Sequence, residues 1–267
     1  MFAVALGNEH LEVHNKGPIL SCVLNRPDSL NAFSDEMLLG LKEALTEAAL
    51  NDEVRVVVIS GAGRAFSAGG DVKAMEDYSS DDIYNHLGEL NQLILTIKEL
   101  DKPVIAAVHG YAAGAGFNLA LACDQILAAE GTQFALSFAQ VGLVADAGGH
   151  YFLSRLLGPY RAKELLFRAE PLPVETAIEW GLVNRIYPIE KLEEEVSNYA
   201  VQLAKGPGRA MGMMKKLVDQ AQHADLAAIL NQERITQTMM STTSDHQEGV
   251  QAFKEKRKPA FSDNLRG

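Results

Sequence analysis

Cysteine is nearly missing from this sequence: 267 residues include two, Cys22 and Cys123. Two isolated thiols inside apolar runs build neither a disulfide scaffold nor a zinc framework, so both are expected to be buried small hydrophobes in a reducing compartment, with no metal site. Long hydrophobic stretches are missing too. No apolar run approaches the roughly 20 residues of a membrane span. The opening MFAVALGNEH has no basic segment ahead of its short apolar run, so the expectation is a cytoplasmic protein with no membrane partner. Positive charge is scarce: 24 Lys plus Arg face 35 Asp plus Glu, a net charge of −11. Such a chain is a poor generic binder of phosphate backbones, which argues against a nucleic-acid partner. An anionic small molecule remains open, because backbone dipoles act locally.

What is present is ordinary globular material, 47% hydrophobic and 22% charged, enough to bury a core as one domain or a domain with an appendage. LEVHNKGPILSCVLN reads as a hairpin about Gly17-Pro18. Ser34 is a plausible N-cap for a helix carrying Met37, Leu38, Leu41, Leu45 and Leu50 at helical spacing. Residues 54–60 and 102–110 are continuous apolar runs, the pattern of strands covered on both faces. Each leads into a glycine-rich segment, GAGRAFSAGGD and GYAAGAGFN. Residues 80–100 read as an amphipathic helix, NLALACD as an apolar helix, DQILAAE and QFALSFA as short strands, and a helix is expected to start at Asp146. WGLVNRIYP closes the sheet. From about Ile189 to Lys256 the pattern is helical, broken at Gly206-Pro207-Gly208. The repeated strand–loop–helix order gives an α/β class with a mostly parallel sheet, residues 1–188, followed by a helical region, residues 189–267.

The glycine loops admit several readings. Gly61-Ala62-Gly63 follows a strand as a dinucleotide fingerprint requires, but the third glycine position is Phe66. Ala65-Phe66-Ser67-Ala68-Gly69 is one glycine short of a nucleophile elbow, with His109 and His150 the mid-chain histidines downstream. Alternatively the two loops act together, each giving one backbone N–H to a shared oxyanion hole; or both are tight strand-to-helix turns and nothing more.

LNRPDSLNAF, AFSAGGDVKAM, KPVIAAVHGYAAGAGFNLALACD and EGVQAFKEKRKPAF, in that order over about residues 10–262, resemble the crotonase superfamily, the enoyl-CoA hydratase/isomerase family. The resemblance implies a spiral of ββα units with a helical C-terminal trimerisation region, acting on acyl-CoA thioesters as a homotrimer or a dimer of trimers. No cofactor is implied beyond the CoA of the substrate. It also implies that the thioester oxygen lies between the N–H groups of Gly70 and Ala115, and that Ala68, Asp71 and Val72 line the CoA path. Asp71 can equally be read as a helix N-cap, and Asp124, readable as a catalytic acid, corresponds to a fold-supporting position.

The resemblance places the two glutamates of the hydratases at Asn118 and Phe138. Neither side chain takes up a proton at neutral pH, so a two-glutamate hydratase is not expected; Asn118 is left to orient substrate or water, and Phe138 to line the acyl site. Eight residues past Phe138 stands Asp146. Dienoyl-CoA isomerases, the ring-epoxide isomerase of phenylacetate degradation and a chlorobenzoyl-CoA dehalogenase carry an aspartate there as base or nucleophile, and FALSFAQVGLVADAGG is most similar to the ring-epoxide isomerase. The expectation is an acyl-CoA double-bond isomerase with Asp146 as single base. A hydratase of unusual design, a dehalogenase with Asp146 as nucleophile, and a non-catalytic acyl-CoA binder stand as alternatives, and Asp146 as a mere N-cap of a helix over 147–157 is the structural one.

Overall fold

Apolar runs without alternation mark strands that bury both faces, and the central sheet is built from them. The computed structural model describes residues 7–71 and 78–261. The main sheet has six strands. β1 (Leu11–Lys16) runs antiparallel to β2 (Ile19–Leu24) across the Gly17-Pro18 turn. β2 is followed across the sheet by parallel β3 (Val56–Gly61), β4 (Val104–Val108), β6 (Gln125–Ala129) and β9 (Arg185–Tyr187). A strand turns successive side chains to opposite faces. Along β3, Val57 and Ile59 therefore enter one core, while Val56 and Val58 enter a second. β4 divides its residues in the same way, with Val104, Ala106 and Val108 against Ile105 and Ala107.

Helices α1, α2 and α3 cover much of the first core. α1 (Asp35–Leu50) begins at the expected N-cap, where the Ser34 hydroxyl accepts the Met37 N–H at 3.2 Å. It buries Met37, Leu38, Leu41 and Leu45, whereas Leu50, its last residue, is exposed. α2 (Ser80–Glu99) starts in a capping box between Ser79 and Asp82 and buries Leu90, Leu93, Ile94 and Ile97. α3 (Ala115–Ala122) is buried along its whole length and starts three residues before the asparagine that opens NLALACD. The second core lies under α7 (Leu192–Ala204), whose Leu192, Val196, Ala200 and Ala204 recur every fourth residue as one face of a helix must.

A small second sheet joins β5 (Tyr111–Ala113), β7 (Gln133–Ala135) and β8 (Leu172–Pro173). QFALSFA is a strand only to Ala135; Ser137–Val141 turns as a short 3-10 helix. The helix expected at Asp146 begins later, as α4 (Gly149–Leu156) with Gly148 as N-cap. Ala147 and Gly148 both hold positive φ, 45° and 79°, which delays helical geometry and denies Asp146 the N-cap position.

After α5 (Gly158–Arg168) and α6 (Val174–Glu179), the chain beyond α7 is helical: α8 (Gly208–Ala221), α9 (Leu226–Met240) and α10 (Ser244–Glu255). The break at Gly206-Pro207 separates α7 from α8 as the sequence indicates. α8 is fastened to the sheet through Lys215, whose ammonium meets Asp124 Oδ2 at 2.9 Å and donates to the Ile97 carbonyl at 2.8 Å. No helix among the described residues is long and apolar enough to cross a membrane.

Candidate active site

Parallel neighbours deliver their carboxyl ends side by side, so the segments after β3 and β4 must meet. They are stitched together by main-chain bonds. Phe66 N–H donates to the His109 carbonyl at 2.9 Å, Ala113 N–H donates to the Ser67 carbonyl at 2.8 Å, and Ser67 forms a parallel bridge with Ala112. The first loop comes to rest on the start of α3. A Cβ built at Gly69 would stand 2.6 Å from the Ala113 carbonyl oxygen and 2.7 Å from the Ala115 nitrogen, and Gly69 has φ +82°. Glycine is required there on both counts.

Gly70 follows directly, bridged to Phe33, whose N–H donates to the Gly69 carbonyl at 2.7 Å. Ala115 is the first residue of α3, and its N-cap, Gly114, supplies no side-chain bond. First-turn N–H groups lack intrahelical partners and carry the positive end of the helix dipole. The two amide groups expected to converge therefore belong to segments in van der Waals contact, one of them at a helix start. Sequence pattern placed the second donor before the helix, in a turn.

The remaining candidates surround the same turn of α3. Phe138, in the 3-10 turn, is partly buried, and its ring reaches to 3.6 Å from a Cβ built at Gly114. Asn118 is fully buried one turn into α3. Its Nδ2 donates to the main-chain carbonyl of Asp146 at 2.9 Å, which takes up one of the two N–H groups of that amide. The same carbonyl accepts the Gly149 N–H at 2.8 Å.

Asp146 itself is half-buried, but Oδ1 is shut away from solvent and, like Asn118 Oδ1, has no hydrogen-bond partner. Burial pushes its carboxyl up to about 6, outweighing the opposing pulls of its own N–H and of His86. His86 is steadied by Asp35, Nδ1 to Oδ1 at 2.7 Å. A desolvated carboxylate aligned by its neighbours accepts protons near neutral pH.

The CoA-path candidates lie at the rim. Ala68 N–H donates to the Leu30 carbonyl at 2.8 Å. Asp71 Oδ2 receives both terminal nitrogens of Arg26 at 3.2 Å, which joins the loop before α1 to the loop after β3. Val72 falls among residues 72–77, outside the described residues, as does the helical segment that Asp71 would cap.

Two competing chemistries find no assembly. Ser67 is fully buried and donates its hydroxyl to the Asn31 carbonyl at 2.7 Å, while His109 Nε2 lies 3.0 Å from the Gly63 carbonyl. Ser67 and His109 thus each bond to a main-chain carbonyl and do not form the serine–histidine pair of a hydrolase. Asp124 accepts the Val104 N–H at 2.8 Å besides pairing with Lys215; burial holds its carboxyl above the ordinary range despite that cation. It braces the fold and does not face the candidate site. Both cysteines are buried free thiols, and burial raises the Cys22 thiol to about 12. Among the described residues no three His, Cys, Asp or Glu side chains gather as metal ligands.

Residues 14–264 match the family model described as enoyl-CoA hydratase/isomerase. The chain is 35% identical over 261 residues to the 1,2-epoxyphenylacetyl-CoA isomerase of Escherichia coli, covering 95% of this chain and 98% of the relative. It is 34% identical over 252 residues to the 2,3-dehydroadipyl-CoA hydratase of the same organism, covering 94% and 98%. A crystal structure of an enoyl-CoA hydratase from Bacillus anthracis superposes with a TM-score of 0.91 at 32% identity, covering 94% of this chain and 98% of that one.

Proposed function

The chain belongs to the enoyl-CoA hydratase/isomerase family, and we propose that within it the protein is an acyl-CoA double-bond isomerase working with a single base. The observation that carries this proposal is Asp146: a half-buried carboxyl raised to about 6, with one oxygen buried and unpartnered, beside the turn of α3 that begins at Ala115. No second carboxylate accompanies it at 118 or 138, where Asn118 and Phe138 stand.

Asp146 takes a proton from the carbon next to the thioester carbonyl, or from its vinylogous position. The electron pair moves onto the thioester oxygen, where the N–H groups of Gly70 and Ala115 hold the enolate. Asp146 then returns the proton at another carbon, and the double bond has moved. Water takes no part. Phe138 helps by filling space that water would occupy and by keeping the carboxylate desolvated and basic. Asp71, paired with Arg26, and Ala68 line the path of the CoA. Nothing beyond the CoA of the substrate is required.

The test is a comparison of rates. 3-Hexenoyl-CoA should be converted to its conjugated 2-enoyl isomer at least about tenfold faster than crotonyl-CoA is hydrated, a barrier difference of about 1.4 kcal/mol. Efficient 3-hydroxyacyl-CoA formation that is insensitive to Asp146→Asn refutes the isomerase and favours a hydratase of different design. A covalent aryl-enzyme formed from a halogenated aromatic thioester would make Asp146 a nucleophile instead. Binding of thioesters without turnover would mark a non-catalytic binder.

A further inference from the structure

Ser67 carries a buried hydroxyl for which the proton shift has no use. Its Oγ–H donates to the Asn31 carbonyl at 2.7 Å, and Oγ accepts the Gly69 N–H at 3.1 Å. The acceptor end is fixed. Asn31 sits in the left-handed region at φ 55°, and its side chain is consumed by three bonds of 2.8 Å: from the Arg26 N–H, and to the Ala62 and Ala65 carbonyls. On the other side Ser67 touches α3: a Cβ at Gly116 would fall 2.7 Å from Ser67 Cβ. Ser67 thus bonds to the residue before Gly70 and packs against the residue after Ala115.

We infer that Ser67 is a positioning residue that sets the separation of the Gly70 and Ala115 N–H groups by tying Gly69 to the Asn31 carbonyl. This rests on the oxyanion-hole reading proposed above. A donor's value depends on its aim at the place where charge develops, and misplacement by about 1 Å can cost about 10²-fold in rate. Without the hydroxyl, Gly69 N–H loses its acceptor, and the turn holding Gly70 is left with the main-chain bonds from Phe33 and Ala113 to fix its distance from α3. The bound thioester keeps its CoA contacts, so the loss falls on kcat and not on KM.

The experiment uses Ser67→Ala, with Ser67→Cys as a variant that keeps the volume and weakens both bonds. Cinnamoyl-CoA is the spectroscopic probe, because hydrogen bonds to its thioester oxygen polarise the conjugated system and shift its absorption to the red. The expected result in Ser67→Ala is kcat on 3-hexenoyl-CoA at least about tenfold lower, KM within about twofold, and a smaller red shift than in wild type. Ser67→Cys should fall between the two. If Ser67→Ala does not fold, as judged by circular dichroism, the cysteine variant decides the matter. Wild-type kcat together with a wild-type red shift in the folded variant overturns the inference. No red shift with the wild-type protein overturns the oxyanion-hole reading itself, a different failure seen before any variant is made.

Discussion

The side-chain amide of Asn118 donates to the main-chain carbonyl of Asp146 at 2.9 Å, across 28 residues of sequence. Helix α3 thereby holds the segment that carries the candidate base. Asn118→Ala should lower stability by about 1–2 kcal/mol, the usual effect of losing a buried hydrogen bond, and lower kcat about tenfold through misalignment. Asn118→Asp should do more. It faces an acceptor with an acceptor and sets a second carboxyl near Asp146, raising the pKa of the latter, so the acidic limb of the kcat profile should lie at higher pH than in Asn118→Ala. Thermal unfolding and pH–rate profiles of the two variants check this.

Asp146→Asn retains the shape and removes proton acceptance. The expected fall in kcat is at least about 10²-fold, with thioester affinity measured by calorimetry nearly unchanged. Wild-type turnover in this variant would remove Asp146 from the mechanism.

The same residue couples activity to pH in one direction and stability in the other. Burial raises Asp146 from 3.8 to about 6. Activity requires the carboxylate, so kcat should rise with pH to a plateau above about 7, with its midpoint near 6. For stability, the folded chain holds this proton more tightly than the unfolded chain does. The stabilising contribution is full below about pH 4 and is lost as pH rises through 6. Asp146→Asn should therefore unfold at a higher temperature than wild type at pH 8, by up to about 3 kcal/mol in stability, with the advantage vanishing at pH 4. An equal advantage at both pH values would contradict the assigned burial effect.

A single-base shift in a dry site predicts retention of hydrogen. In deuterium oxide, isomerised product should keep part of the migrating hydrogen, because the carboxyl returns its proton before exchanging with solvent. Mass spectrometry of product at early times measures this, and full deuteration would indicate that water reaches the carboxyl during each turnover.

The C-terminal helices leave apolar side chains uncovered in the single chain: Leu226 is 73% exposed and Phe253 85%. Patches of this kind are covered in assemblies. Sedimentation at micromolar concentration should give three or six times the 29.0 kDa chain mass, and charged substitutions at Leu226 and Leu230 together should lower it.

Elements with a local signature were legible in the sequence. Ser34 caps α1, Gly17-Pro18 turns the hairpin, and the unalternating runs are strands covered on both faces, because each follows from chemistry within a few residues. Legibility failed where a long-range partner decides. The amide of Asn118 donates to a carbonyl 28 residues away, a contact that no spacing announces. The delayed start of α4 follows from Ala147 adopting φ 45°, a conformation alanine takes only when its surroundings impose it. Ser67, weighed as a nucleophile by its neighbours in sequence, has its hydroxyl taken up by Asn31, 36 residues earlier.

The packing around Asn118 also bears on how such a scaffold can exchange one chemistry for another through successive substitutions. A Cβ at position 149 would stand 2.6 Å from Asn118 Nδ2, so the two positions are sterically coupled. A glutamate at 118 is one methylene longer and has no donor for the Asp146 carbonyl. Installing it removes that carbonyl's side-chain bond and presses on the start of α4 before a partner carboxylate at position 138 is in place. A route from this site to a two-carboxylate site therefore crosses a variant that has lost alignment of the old base without gaining the new pair, unless the 146–149 turn is rebuilt first.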